Sequence, residues 1–150
     1  MRPNKMSAYE IFIGVWNTTG EVLETSAGPR GMLEATDIYR WFPGQHFIVH
    51  EVDARFDGKP TRSMEVMGYD LSKKNYFARS YDDQGASELF ALQLQGRHWH
   101  IQGATMRFSG NFNSRKDRLG GLWELKGPRR RWQPWRIAAW LLWRGLSEIR

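Results

Sequence analysis

Apolar and polar residues alternate with a period of two along most of the chain between Met32 and Lys126. Such alternation is typical of strands that bury one face of a sheet. The predicted strands in this region are 32–42, 46–56, 61–69, 75–82, 87–95, 97–104, 106–113 and 118–126. Turn-forming residues such as Pro43-Gly44 separate them, which predicts hairpins between sequence neighbours and an antiparallel meander.

Two further strands complete this pattern, one from Val15 to about Thr25 and one near Trp132–Ile137. A meander of nine or ten twisted strands removes its exposed edges by closing on itself. We therefore predict an all-β fold, a closed antiparallel up-and-down barrel wide enough to hold a ligand. It forms one domain over residues 1–135, and residues 136–150 form a basic, Trp-rich tail that is not a separate domain.

A short helix is predicted before the first strand. Ser7 and Glu10 have the spacing of a capping box, in which each side chain satisfies a backbone N–H at the start of a helix. Gly14 follows within two turns, so the helix ends before β-type alternation begins at Val15.

Alternation also assigns one face of each strand to the interior. In strand 61–69, Met64 and Val66 form the apolar set, and Glu65 falls on the opposite, outer face. In strand 46–56, His50 shares the parity of the apolar residues, so its imidazole needs a buried partner, a water or a ligand. The residues predicted to line a ligand site are His50, Met64, Val66, Met106, Phe108, Phe112 and Trp123.

Charge and cysteine content narrow the functional classes. The net charge is +6, but residues 129–150 hold six arginines against one acid, so the rest of the chain is nearly neutral. The chain has no cysteine, which excludes disulfides and thiolate metal sites. No secretory signal or membrane-spanning run is expected, and a cytoplasmic location is the default.

Several motifs together resemble a known family. They are Gly14-Val15-Trp16 at the helix–strand junction, the repeated hairpins, Gly68-Tyr69-Asp70 at a strand end, and Trp132-Gln133-Pro134-Trp135. The chain is similar over residues 7–135 to a lipocalin-like bacterial family of unknown function in the calycin superfamily, with nitrobindins and fatty-acid-binding proteins as distant relatives. The resemblance implies a barrel whose helix plugs one end and whose Trp16 packs over that plug.

Two departures limit what this resemblance implies. Fatty-acid-binding proteins carry a helical lid between the first two strands, whereas only Thr25–Gly31 separates them here, so we expect a more open mouth. Nitrobindins hold haem through a histidine near the C-terminus, whereas the last histidine here is His100. We therefore expect no haem and no other cofactor.

Other candidate sites have weaker support. His98 and His100 share a strand face, but the apolar parity of Trp99 places both on the outside, so no metal site is expected. Arg40 and Arg79 would favour an anionic ligand if they faced inward, but we expect both to face solvent. Glu51, Asp53 and Glu65 are all predicted to face outward, so paired-carboxylate catalysis has no support.

The predicted function is noncatalytic binding of a small apolar or amphipathic molecule inside the barrel. One alternative is an enzyme of the isomerase or cyclase type with His50 as acid–base group. Another is a packed scaffold that forms a homo-oligomer through its tail, whose residues 136–147 are expected to be helical or frayed and to expose Trp140–Trp143. Contact of the Arg- and Trp-rich tail with a membrane surface or nucleic acid remains a further alternative.

Overall fold

The structure, a computed structural model, describes residues 4–143. Ten strands follow a 3₁₀ helix at Ser7–Phe12, and a second 3₁₀ turn, Pro128–Arg130, precedes the last strand. The strands are β1 (Gly14–Val22), β2 (Gly31–Trp41), β3 (Ile48–Phe56), β4 (Lys59–Asp70), β5 (Asn75–Asp82), β6 (Ser87–Gln95), β7 (His98–Gln102), β8 (Met106–Phe112), β9 (Arg118–Lys126) and β10 (Trp132–Trp143).

The strands form one closed barrel in sequence order. Each pairs antiparallel with its sequence neighbours, and β10 pairs with β1, with Trp140 opposite Thr18. The predicted all-β antiparallel barrel is thus confirmed, and every strand has a partner on both sides. None of the helices within residues 4–143 has the length and apolar character that crossing a membrane requires.

The last strand corrects the predicted end of the barrel at residue 135. β10 continues to Trp143, so residues 136–143 are neither helical nor frayed, and residues 144–147 lie outside the described chain. Trp140 and Leu142 face the interior, whereas Ile137 and Leu141 face outward with half of their surface exposed. The expected continuous apolar patch is therefore divided between two faces. Apolar residues occupy both parities here, which concealed the alternation.

The N-terminal helix closes one end of the barrel, which we call the closed end. Its Tyr9 and Phe12 are almost fully buried and pack around Trp99, with ring centroids 5.7 and 4.6 Å away. The predicted capping box is wrong, because Met6 holds the N-cap position and Ser7 Oγ accepts a hydrogen bond from the Asn4 N–H, which precedes the helix. The Glu10 carboxylate instead accepts a hydrogen bond of 2.6 Å from the indole N–H of Trp41, which fixes the helix to the end of β2.

Gly14 and Trp16 join this helix to the barrel. Gly14 has φ +137°, and a Cβ there would lie 2.9 Å from Leu142 Cδ1. Trp16 is buried and donates its indole N–H to the Phe12 carbonyl at 2.8 Å, so its ring fixes the helix from inside. This is the position that the family resemblance implies for Trp16.

Gly14→Ala should therefore lower the free energy of unfolding by about 1 to 2 kcal/mol, because the new residue must hold a strained backbone beside Leu142. Urea denaturation measures the change. Gly28→Ala is the matched control, since no heavy atom lies within 4 Å of the position that its new methyl group would take. Equal effects of the two substitutions would contradict this role for Gly14.

The packed core lies at the closed end. Inward residues of neighbouring strands, such as Ile48, Met67 and Ala78, are at most 2% exposed there. They surround the aromatic residues of the helix, so this half of the interior is filled by side chains. The opposite end, where β3 ends at Phe56 and β10 begins at Trp132, is called the open end below.

Candidate functional site

A charged network lies in the middle of the barrel, above the packed core. His50 on β3 faces inward between two carboxylates, as its predicted parity requires. Its Nε2 lies 2.7 Å from Asp37 Oδ1 and its Nδ1 lies 2.8 Å from Glu65 Oε1. The side chains of His50 and Asp37 are 9% and 6% exposed, and that of Glu65 is 19% exposed. We call these three residues the His50 network.

Strand register brings the network together. Glu65 is directly opposite His50 in the β3–β4 pair, so the two side chains share a face. Tyr39 is opposite His50 on β2, and Asp37, two residues before Tyr39, therefore shares that face. The Tyr39 ring stacks on the imidazole with centroids 3.8 Å apart, and Thr18 Oγ1 donates a hydrogen bond to the second oxygen of Asp37. Four strands thus hold one imidazole in place.

The network keeps His50 protonated at neutral pH. Burial lowers the pKa of His50, but hydrogen bonds and charge attraction from Asp37 and Glu65 outweigh it and raise the pKa to about 9. Both ring nitrogens of the imidazolium then donate to carboxylates. Burial, together with Asp37 and Glu65, also raises the pKa of Tyr39 well above its ordinary value, so the stacked ring stays neutral.

The position of Glu65 corrects two of the predicted site residues. Because Glu65 faces inward, Met64 and Val66 face outward, and Met64 is 39% exposed opposite Glu51. The prediction assigned the apolar residues Met64 and Val66 to the interior and therefore placed Glu65 on the outer face. Strand β4 also carries Met67 and Tyr69 on the parity of Glu65, so the apolar pattern alone was ambiguous. An inward His50 that needs a partner was the signal that could have resolved it.

The other predicted residues all face inward but do not form one site. Phe112 lies at the closed end, where its ring packs 5.4 Å from that of Phe12. Phe108 is 1% exposed and packs against Trp123 and Trp140. Both phenylalanines therefore belong to the core. Trp123 and Met106 remain partly exposed further toward the open end.

Several inward residues toward the open end are partly exposed, although Leu33 and Ala54 there are buried. In a closed barrel, strands flank each inward side chain on both sides, so solvent reaches such a side chain only through the interior. The partly exposed inward residues toward the open end include Val52, Ser63, Glu65, Ser80, Glu88, Met106 and Trp123. Together they combine apolar surface with hydroxyl and carboxylate groups.

Arg136 is a functional candidate that the sequence analysis missed, because it assigned this residue to the tail. It is opposite Val22 on β1 and Trp123 on β9, so its side chain faces inward. The guanidinium carbon lies 3.6 Å from the Trp135 ring centroid and 4.6 Å from that of Phe56. Its Nε is buried without a hydrogen-bond partner, and burial lowers the pKa of Arg136 to about 10.

The outer surface carries the remaining candidates. His98 and His100 lie on the outer face as predicted, with ring centroids 4.1 Å apart. Within residues 4–143, no cluster of three or more His, Cys, Asp or Glu side chains has the arrangement of a metal site. Arg40 pairs with Glu51 on the outside, and Arg79 is exposed, as expected.

A groove of about 830 Å³ also lies along strands β5 to β9, lined by apolar residues such as Leu92 and Ile101 as well as by polar ones. Its walls include Gln93, His100 and Arg107, and Arg107 pairs with Glu124 at 2.8 Å while stacking on Trp132. The charge of Arg107 is therefore already paired within the chain.

Comparison with known proteins identifies the family. Residues 8–122 match the model of a family described as protein of unknown function (DUF1579). The chain belongs to this family. A comparison with curated proteins gives no match.

Solved structures show that the fold of this DUF1579 protein recurs. It is similar to Rv2717c from M. tuberculosis, with a TM-score of 0.71, 12% identity, and coverage of 96% of this chain and 100% of that one. It is also similar to the S-type phycobiliprotein lyase CPES from Guillardia theta, with a TM-score of 0.52, 8% identity, and coverage of 96% and 95%. At these identities the likeness concerns the barrel fold alone.

Proposed function

We propose that this DUF1579 protein binds a small amphipathic molecule, without converting it, in the open half of a lipocalin-like barrel. The observation that carries the proposal is a set of inward side chains toward the open end that solvent reaches. Ser63, Met106 and Trp123 face inward and remain partly exposed, whereas Phe12, Ile48 and Ala78 at the closed end are at most 1% exposed. A space with one sealed end and one accessible end suits a ligand that enters from the open end.

The chemistry of the walls favours an amphipathic ligand over a purely apolar one. Met106, Trp123 and Val52 offer apolar surface, whose removal from water drives binding. Glu65 and Ser80, opposite each other on β4 and β5, offer polar contacts on the same wall. A similar fold in a protein named as a phycobiliprotein lyase is compatible with this proposal.

The geometry gives less support to the alternative in which His50 acts as acid–base group. Both of its ring nitrogens already bond to carboxylates, so neither is free for a substrate in this arrangement. For the same reason, His50 is not expected to contact the ligand directly. Glu65, which bonds to His50 and is the most exposed member of the network, contacts the ligand in this proposal.

Ser63→Trp tests the proposal by filling the accessible space. We expect the dissociation constant of the uncharged fluorescent probe N-phenyl-1-naphthylamine to rise at least tenfold, since an indole would occupy the volume that the probe needs. Fluorescence titration measures the constant, and circular dichroism verifies that the variant is folded.

Met64→Trp is the matched control, because it introduces the same side chain one residue further along β4 on the outer face. We expect probe binding to Met64→Trp to equal that of the wild type. Binding that is lost in Met64→Trp and retained in Ser63→Trp would place the site outside the barrel and refute the proposal.

A further inference from the structure

We propose that the ligand carries an oxyanion, a carboxylate or a phosphate, and that the guanidinium of Arg136 binds it at the open end of the barrel. This inference rests on the proposed function and deepens it, because it assigns the polar end of the amphipathic molecule and its orientation in the barrel.

The position of Arg136 inside the barrel follows from its contacts. Phe56 lies on β3, and two strands, β1 and β2, separate β3 from β10 around the barrel. The guanidinium of Arg136 therefore extends across the open end of the barrel, where its carbon lies 4.6 Å from the Phe56 centroid. Trp123, directly opposite Arg136 on β9, is one of the partly exposed inward residues. Arg136 thus adjoins the accessible space.

The guanidinium lacks an anionic partner within the described chain. None of the ion pairs among residues 4–143 includes Arg136, and its Nε is buried without a hydrogen bond. The rings of Trp135 and Phe56 attract its charge but accept no conventional hydrogen bond from it. A buried polar N–H ordinarily has a hydrogen-bond partner, so the unpartnered Nε marks a place for an acceptor from outside the chain.

The chemistry of the donor selects the ligand group. A guanidinium presents parallel N–H donors that match two oxygens of a carboxylate or phosphate, and it remains charged at neutral pH even with its lowered pKa. Because Trp123 and Phe56 border it, the group that reaches it would be attached to an apolar body. These features describe an amphipathic anion.

The distribution of inward charge orients such a ligand. Strand β5 is diametrically opposite β10 in the ten-strand ring, and its neighbours β4 and β6 carry the inward acids Glu65 and Glu88. An anion would be repelled by that wall and attracted to the wall of Arg136. The apolar part would then lie along Trp123 and Met106, and any further polar group of the ligand would face Glu65 and Ser80.

Three ten-carbon competitors that differ only in the head group test this inference. Decanoate, decyl phosphate and decanol are titrated as competitors of N-phenyl-1-naphthylamine on the wild-type protein, and we expect decanoate or decyl phosphate to bind at least tenfold more tightly than decanol. The preferred anion distinguishes a carboxylate from a phosphate ligand. In Arg136→Gln the preference should fall below twofold, while the affinity for decanol stays unchanged.

Arg55→Gln is the matched control, because Arg55 is an exposed arginine on the outer face of β3, next to Phe56. It should retain the full preference for the anion. If Arg136→Gln does not fold, Arg136→Lys is used in its place. Lysine keeps the positive charge but lacks the paired N–H donors of a guanidinium, so this variant should reduce the preference for the anion without abolishing it.

The outcomes separate this inference from the proposed function. If neither the probe nor any competitor binds the wild type, the proposed function fails. If decanol binds as tightly as both anions, or if Arg136→Gln keeps the preference, the ligand site exists but Arg136 is a structural residue and the inference is overturned.

Discussion

His50→Gln is expected to lower the free energy of unfolding by about 3 to 5 kcal/mol at pH 6, the cost of removing one partner from a buried charge network. The substitution removes the positive charge between Asp37 and Glu65, whose oxygens lie 2.7 and 2.8 Å from the imidazole nitrogens. The carboxylates of Asp37 and Glu65 then lie buried in the barrel without the cation that separates them in the wild type. Urea denaturation of the two proteins measures the difference.

The same network predicts how stability depends on pH. The pKa of His50 is about 9 in the folded protein, against an ordinary histidine pKa of 6.5 in the unfolded chain, so the folded state binds the proton more tightly. This contribution is fully present below about pH 6.5 and is lost as the pH rises through about 9, a change on the order of 3 kcal/mol. The stability advantage of the wild type over His50→Gln should therefore shrink across this window.

His98→Gln serves as the matched histidine control, because His98 lies on the outer face and bonds to the Asn111 side chain at 2.9 Å. Its effect should stay within about 0.5 kcal/mol at every pH, as for ordinary surface substitutions. Stability profiles of wild type and His50→Gln that run parallel from pH 6 to 9 would show that the network does not hold an imidazolium.

Gly121→Ala is expected to destabilise the barrel by about 3 kcal/mol, at the upper end of the range for overpacked cores. A Cβ at this inward position would lie 2.6 Å from Phe108 Cζ and 2.7 Å from Gly110 Cα, and it would also meet the backbone oxygen of Ser109. The Phe108 ring occupies the space that Gly110 and Gly121 leave. Backbone atoms of β8 cannot yield without disturbing the strand pairing.

Gly120→Ala provides the control on the same strand. Its Cβ would face outward, and the nearest heavy atom would be Ala138 O at 3.9 Å, an ordinary contact. We expect a change of less than about 1 kcal/mol, with either sign, because alanine and glycine differ little at an exposed strand position. If Gly120→Ala costs as much as Gly121→Ala, the packing of Phe108 on the two glycines does not determine the effect.

The strands were predictable because one face of most of them is buried and the other is not. Period-two alternation in β8 and β9 places Phe108 and Trp123 inward, as the structure confirms. Alternation failed where apolar residues occupy both parities, as in β10 around Trp140 and in β4 around Met64. Hydropathy carries no information on facing there, and only the pairing register decides which residue points inward.

The candidate site was less predictable than the fold, because it depends on contacts between distant parts of the chain. The inward position of His50 followed from its parity, but its partners Asp37 and Glu65 depend on the alignment of β2, β3 and β4. Arg136 was missed for a related reason. A buried arginine contradicts the usual preference of its side chain for water, and only the closure of β10 onto β1 places it inside.

The most direct measurement of the central claim uses the methionine methyl groups as reporters in NMR spectra. Met106 faces the accessible interior, Met67 is buried at the closed end, and Met64 lies on the outer face. In protein labelled with ¹³C at these methyl groups, saturating decanoate or decyl phosphate should shift the Met106 signal and leave that of Met64 in place. A shift of Met64 without any shift of Met106 would contradict ligand binding inside the barrel.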